Sequence, residues 1–449
     1  MGLTQHRNGV ENVREVVNLL LLRGNIGKPN SGVLCVRGHS NVQGDRTLGI
    51  WEQMDEGFLS RLADEFKFDP PRRKGYDTVE TIRAMDAGKV KAFVNLGGNF
   101  LSASPDTDVV ARGLGKCSLT AFIVTKLNRN HLVTGDTSVI LPCLGRTEID
   151  VQATGPQFTT VEDTLGVVSS SRGVLRPASE QVMSEVAIIA GIAAATVSGK
   201  GDVNWKNLLD YDQIRDRASR VVAGFENISA RARTPDGFYA PVAAKQRHFN
   251  TATGKANFTV NPIRPIELAT DQYQMMTIRS HDQFNTTIYG LDDRYRGIHG
   301  GRRVIFMNRD DIAEAGLKDR QLVDLTSHFQ GERRTIRDFS VIPYDIPRRC
   351  TATYYPETNP LVALGNVAEI SNTPASKSIV ITIEPASMAA RAIALMTVSL
   401  GREVLFQEGQ DSRPCLRVRC RAEVSIGARC VRGVHKLLGT LISIKEPPG

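Results

Sequence analysis

The residues Thr277-Ile278-Arg279-Ser280-His281-Asp282-Gln283-Phe284-Asn285-Thr286 concentrate ligand-holding chemistry: every side chain but Ile278 and Phe284 hydrogen-bonds or carries charge. They follow directly on an apolar run that reads as a strand, and polar groups gathered at a strand end commonly line a ligand. Arg279 adds a planar fork suited to phosphate or to the edge of a heterocycle. A solvated surface loop is the competing reading of the same residues. Gly97-Gly98-Asn99 ends another apolar run, Val90 to Leu96, at the position where an α/β sheet turns its carboxyl edge to a ligand. Glycines there let backbone N–H groups approach a phosphate closely, although a plain tight turn has the same composition. Ser371-Asn372-Thr373-Pro374-Ala375-Ser376-Lys377 precedes the last strand-like run in the same manner, with an ordinary turn as its alternative.

Other chemistries are absent from the pattern. The eight histidines form no HExxH or similarly spaced pair; His39 is singled out only by its neighbours in Arg37-Gly38-His39-Ser40-Asn41-Val42-Gln43-Gly44. The seven cysteines include no CxxC pair, so no disulfide framework, zinc site or iron–sulfur nest is legible, and buried reduced thiols are expected. No GxSxG, P-loop or GxGxxG opens a strand-to-helix turn, which argues against simple hydrolase, NTPase and NAD-dependent readings.

The elements that position these groups alternate early and change texture later. Glu11 to Leu22 predicts an amphipathic helix through Val13, Val16, Val17, Leu20 and Leu21, stopped by Gly24. Val79 to Ala87 predicts a helix, and Leu119 to Thr125 and Thr137 to Leu141 predict strands around a turn-like Asn128 to Gly135. Ser179 to Val197 predicts a long apolar helix. Short strands alternating with helices predict a parallel α/β layer over residues 1–198. Residues 199–261 are polar and loop-rich and read as a connecting region. From Tyr273 the runs Tyr273 to Arg279, Arg303 to Met307, Gln321 to Ser327, Thr335 to Ile342 and Ser378 to Glu384 predict strands of a compact β-barrel within residues 262–385. One helix interrupts them, with Asn308 as N-cap and Gly316 as stop.

At 449 residues the chain accommodates about two to four domains. Apolar residues at 41% and charged residues at 23% are those of an ordinary globular protein. The net charge of +8 is uneven: ten Lys/Arg against five Asp/Glu from Ala386 to Gly449 give +5, leaving +3 for the body. With no basic stripe interleaved with aromatics, nucleic acid is not an expected partner. No signal peptide follows Met1, and the longest apolar run, Val186 to Val197, is too short to span a bilayer. Without membrane insertion, a cytoplasmic location is expected. The tail 386–449 is basic and arginine- and cysteine-rich, and it lacks clear patterning.

Taken in order, the blocks resemble the molybdopterin-guanine-dinucleotide oxidoreductases, specifically the formate-dehydrogenase-like alpha-subunit group. The resemblance runs from about Gly2 to Pro385. It rests on Arg37 to Asp45, Gly97 to Asn99, Val139-Ile140-Leu141-Pro142 with Arg146-Thr147-Glu148, Thr253-Gly254-Lys255-Ala256, Thr277 to Thr286, and Asn372 to Lys377. It implies an α/β fold, a Rossmann-like layer followed by a C-terminal double-psi-type β-barrel. It also implies two molybdopterin guanine dinucleotides around molybdenum or tungsten, and two-electron chemistry on a small substrate such as formate.

Residue by residue, Arg37 matches the arginine that orients a substrate carboxylate, with His39 beside it where such formate dehydrogenases more often carry Gln. Asn41, Gln43 and Gly44 match positions close to the pterin, and Gly97, Gly98 and Asn99 match the turn that meets guanosine or its phosphates. Thr277, Arg279, His281, Asn285, Asn372 and Lys377 match barrel-loop positions that hydrogen-bond pterin and phosphate groups. The family's protein ligand to the metal, and its iron–sulfur cysteines where present, precede the Arg37 block. The expectation is therefore a truncated or split enzyme, partnered by a separately encoded N-terminal half or an electron-transfer protein, or else a non-catalytic cofactor-binding remnant. Cys35 resembles a structural position, and the tail resembles out-of-frame sequence.

Overall fold

The computed structural model describes residues 1–36, 38–286 and 288–386. The expectations for Arg37 and for nearly all of the basic tail fall outside those residues.

Four helices open the chain: α1 (Gly9–Leu22), α2 (Val42–Thr47), α3 (Glu56–Phe66) and α4 (Thr78–Asp86). Asp55 starts α3 by accepting the Phe58 amide at 2.8 Å, and Lys67 ends it with φ +54°. Asp77 and Glu80 close a reciprocal capping box on α4, satisfying amides that the first helical turn leaves unpaired. Strands β1 (Ala92–Leu96), β2 (Leu119–Val124) and β3 (Thr137–Pro142) then form a parallel sheet in that order, with α5 (Phe100–Ala103) and α6 (Thr107–Gly115) between the first two. Val79, Ile82 and Met85 of α4 pack against Val110 and Leu114 of α6 to make this layer's core. Their approach is close: a Cβ on Gly113 would lie 3.0 Å from that of Met85.

A second unit surrounds a small antiparallel sheet. After a short ladder of β4 (Val151–Gln152) and β5 (Gly155–Pro156) come β6 (Thr159–Glu162) and β7 (Val167–Ser171), joined later by β8 (Phe238–Tyr239). Helix α7 (Glu185–Val197) begins where the Ser184 hydroxyl caps the Ala187 amide, so residues 179–184 are not the helix expected from their composition. Helices α8 (Tyr211–Val221) and α9 (Ile228–Ala232) lie in the stretch that reads as loop-rich, and Val221 and Ile228 join Phe58, Val168, Phe225 and Phe238 in one core.

The remainder is a closed six-stranded barrel. Its strands are β9 (Tyr273–Ile278), β10 (Val304–Met307), β11 (Leu322–Phe329), β12 (Glu332–Pro343), β13 (Cys350–Tyr354) and β14 (Ile379–Pro385), in the order β10-β12-β11-β14-β9-β13. The pairs β10/β12 and β9/β13 are parallel and the other four antiparallel. Closure leaves no unpaired edge. Met275, Val323, Leu325, Phe339, Val341 and Ile381 fill the interior. Helix α10 (Arg309–Glu314) is capped by Asn308, as expected. Gln330 and Gly331, at φ +50° and +82°, make the two-residue turn between β11 and β12, a type that requires left-handed backbone at both positions. Among the described residues no helix is long and apolar enough to cross a membrane.

Candidate functional site

The loop after β9 is held by two buried charge centres on neighbouring elements. Arg302, with 3% of its side chain exposed, donates to Glu357 at 2.7 Å, to Ser280 Oγ at 2.5 Å, to Gln283 at 3.0 Å and to the Tyr355 carbonyl at 2.8 Å. Asp293 accepts from Tyr354 Oη at 2.8 Å, Arg296 at 2.7 Å and His281 Nδ1 at 3.0 Å. Burial pushes the Asp293 carboxyl up, but these donors outweigh it and hold it at about 2. The His281 ring also lies against Tyr295, centroids 4.3 Å apart. His281 is therefore fastened by its own loop.

Held in this way, the loop meets two other segments. Tyr355 Oη lies 3.2 Å from Asn285 Oδ1 and 3.2 Å from the Ala103 carbonyl of α5; burial raises its phenol to about 12 against the opposing charge of Arg279. Asn99 caps α5 and reaches the Thr286 carbonyl at 3.5 Å. Asn359 donates to the Ser102 carbonyl at 2.6 Å, and Arg334 pairs with Asp106 at 2.9 Å. These bonds seat the barrel on the carboxyl end of β1, where Gly97 and Gly98 turn with φ +70° and +71°. A Cβ at either glycine would meet nothing within 4 Å, so the turn faces open space.

Two cations stand together at this junction. Lys377 is bonded through Nζ to the Thr277 carbonyl at the end of β9. Burial first, and the charge of Arg279 second, lower its ammonium to about 8. The Arg279 guanidinium lies 5.7 Å from the Tyr355 ring centroid, a weak cation–π contact. No carboxylate pairs with either cation among the described residues. Nearby, the Thr286 hydroxyl is buried without a partner. Unpaired partly buried cations, an orphaned hydroxyl and an open glycine turn are the donor set that a pyrophosphate-bearing nucleotide satisfies. The residues present fit such a group.

Other candidate residues have different surroundings. Asn41 accepts the Glu162 amide at 2.9 Å, Gln43 donates to the Glu162 carboxylate at 2.6 Å, and Thr47 donates to its other oxygen at 2.7 Å. A Cβ on Gly44 would sit 2.3 Å from Asn41 Oδ1. These three residues fasten α2 to β6, not to the barrel. His39 is exposed and lies near Asp45, whose carboxyl is raised by burial against the lowering charges of His39 and Arg46. Asn372 donates at 2.8 Å to Asp77, the residue that caps α4. Cys35 is an exposed free thiol.

Sequence reasoning missed Arg302, Asp293 and Tyr355. Their importance comes from burial and from partners far along the chain, which no local spacing reveals; only the aromatic pair Tyr354-Tyr355 before Pro356 was a visible mark.

The comparisons with known proteins concern the same region. Residues 273–380 match the model of the family described as "Molydopterin dinucleotide binding domain", and this range lies within the barrel. An uncharacterized oxidoreductase of Mycobacterium tuberculosis (strain ATCC 25618 / H37Rv) is 51% identical over 392 residues, 86% of this chain and 50% of the relative. Protein YdeP of Escherichia coli (strain K12) is 42% identical over 394 residues, 86% of this chain and 52% of the relative. A further similarity, 32% over 124 residues, is to F420-dependent formate dehydrogenase 1 subunit alpha of Methanococcus maripaludis and covers 26% of this chain and 18% of the relative. The chain spans about half the length of the first two relatives.

Proposed function

We propose that this chain, whose residues 273–380 match the molydopterin dinucleotide binding domain, forms one wall of a formate-dehydrogenase-like centre. In this reading the centre has two guanine dinucleotides around molybdenum or tungsten. The observation that carries it is the Arg279–Lys377 pair, two neighbouring cations with no carboxylate of their own. They hold the phosphates of one dinucleotide, the Gly97-Gly98 turn offers backbone N–H groups to it, and Thr286 and Asn285 orient its polar edges. The three-stranded parallel layer is the Rossmann-like part of the fold and the barrel its double-psi-type partner. When bound, the group supplies the two-electron redox step; the protein positions it and keeps water out.

Arg37 takes a substrate carboxylate through its planar fork, with His39 beside it, an assignment that rests on the resemblance of residues 37–45 to the family. Residues beyond these 449 complete the centre, including the metal's protein ligand and any iron–sulfur cluster. A second reading is a cofactor-binding module without catalysis of its own, which the match of residues 273–380 to a dinucleotide-binding domain fits equally.

Two measurements test the proposal. GDP, a probe for the guanosine pyrophosphate portion, is expected to bind the purified chain, and Lys377→Gln to weaken that binding roughly tenfold, the scale of one charge-assisted contact. Absence of GDP binding, or indifference to the substitution, would sink the site. Metal and guanine-dinucleotide content, with formate-dependent dye reduction, measured with the residues that complete the centre present, separates the two readings: turnover rules out the non-catalytic one.

A further inference from the structure

The barrel opens between the end of β11 and the start of β14 into a cavity of about 160 Å³, whose lining reaches Ser378 but includes neither Lys377 nor Arg279. It continues the barrel interior. Ser327 shares a face of β11 with Val323 and Leu325, and Leu361 and Ile379 belong to the same core that those residues fill. Phe329, next to the hairpin turn, forms a further apolar wall. An apolar cavity of roughly 150 Å³ is large enough to take up a benzene ring, and the mouths of barrels are recurrent ligand sites.

Two polar features keep this from being a simple packing gap. Ser327 is 2% exposed and its hydroxyl has no hydrogen-bond partner. At the rim, Arg7 donates through Nε to one oxygen of Glu369 at 2.8 Å, while Arg264 takes the other at 2.7 Å. Two guanidinium groups thus share one carboxylate, leaving a local excess of one positive charge. The lining is mixed: Phe329, Leu361 and Ile379 give apolar walls, His328, Asn366 and Ser378 are polar but already bonded to Thr382, the Ser378 carbonyl and His6, and the Ser327 hydroxyl and the cationic rim remain.

We propose that this open end of the barrel binds a compact organic monoanion with an apolar ring or branched body and a second polar atom. The body lies against Phe329, Leu361 and Ile379, the carboxylate balances the rim charge at Arg7, and the second polar atom completes the hydrogen bonding of Ser327. No residue invoked here belongs to the cation pair or the glycine turn, so this proposal and the cofactor reading fail separately.

The test is a titration of the whole chain with 4-hydroxybenzoate, followed by ligand-observed NMR, with benzoate and phenol as comparisons. 4-Hydroxybenzoate is expected to bind most tightly, with a dissociation constant on the order of 1 mM for a ligand of this size. Arg7→Gln, on an exposed side chain, is expected to weaken both acids roughly two- to fivefold and leave phenol unchanged. Ser327→Ala removes no existing hydrogen bond, so the fold survives, and it is expected to abolish the preference for 4-hydroxybenzoate over benzoate. Failure of 4-hydroxybenzoate to bind, or binding insensitive to both substitutions, overturns the proposal.

Discussion

At the scale of single residues, charge placement decides behaviour. Lys377 carries its proton only below about 8, because burial and the neighbouring Arg279 disfavour the ammonium. GDP affinity is therefore expected to fall as pH rises through that value, above the phosphate's own titration. The Lys377→Gln variant should show a flat profile by calorimetry. The empty fold responds with the opposite sign. Its lysine binds protons less readily than a free lysine at about 10.4, so stability rises as pH climbs from about 8 toward that value. Asp293 contributes in the usual carboxylate sense: held at about 2, it stabilises the fold fully above roughly pH 4 and loses that contribution as pH falls through about 2. Asp293→Asn leaves the Arg296 charge without its buried partner. It is expected to cost about 2 to 4 kcal/mol in urea denaturation. Arg279 and Lys377 stood out in the sequence as candidates because each sits beside a strand end within a dense polar run. Asp293 and Arg302 were not, because their partners come from Tyr354, Tyr355 and Glu357, far away in the chain.

At the scale of elements, β1 to β3 and all barrel strands but β13 followed from periodicity, whereas six of the ten helices among the described residues, α2, α3, α5, α6, α8 and α9, and the small strands β4 to β8 did not. Strand β13 was missed because Cys350-Thr351-Ala352-Thr353-Tyr354 alternates small and polar residues; Thr351 and Thr353 are nevertheless fully buried, the latter bonded to Thr358 at 2.8 Å. Helix α8 was missed because its charges outnumber its apolar residues, yet Arg215 is 6% exposed, stacked on Phe158 and paired with Asp212. Asp77 ties two elements at once, capping α4 and receiving Asn372 from the barrel. Asp77→Ala is expected to cost about 1 to 2 kcal/mol by thermal or urea unfolding, most of it the lost cap. Asn372→Ala should lose less, since the cap remains. Gly98→Ala imposes a left-handed alanine at φ +71°, a cost of roughly 1 to 2 kcal/mol without any steric clash, and it should impair GDP binding beyond its effect on stability.

At the scale of the whole molecule, the barrel is packed and the beginning of the chain is not. The apolar stripe of α1 was correctly read as a helix face, but Val13 and Val16 are each 41% exposed, and none of the stripe enters a core cluster among the described residues. Val16→Asp is therefore expected to change unfolding free energy by less than about 0.5 kcal/mol, whereas Val323→Ala in the barrel costs roughly 2 to 3 kcal/mol. Equal hydrophobicity in the sequence thus carries unequal weight in the fold, and only the tertiary packing distinguishes the two. The barrel's connectivity also bears on how the chain acquires its structure. Strand β14 is the last to be synthesised and seats between β11 and β9, both made long before it. Until it arrives, those two strands present open edges during biosynthesis, and ring closure depends on contacts distant along the chain. Such topologies fold slowly, in milliseconds to seconds, and expose the nascent protein to edge-to-edge association in the interval. Residues 379–385 are thus the kinetic latch of the domain.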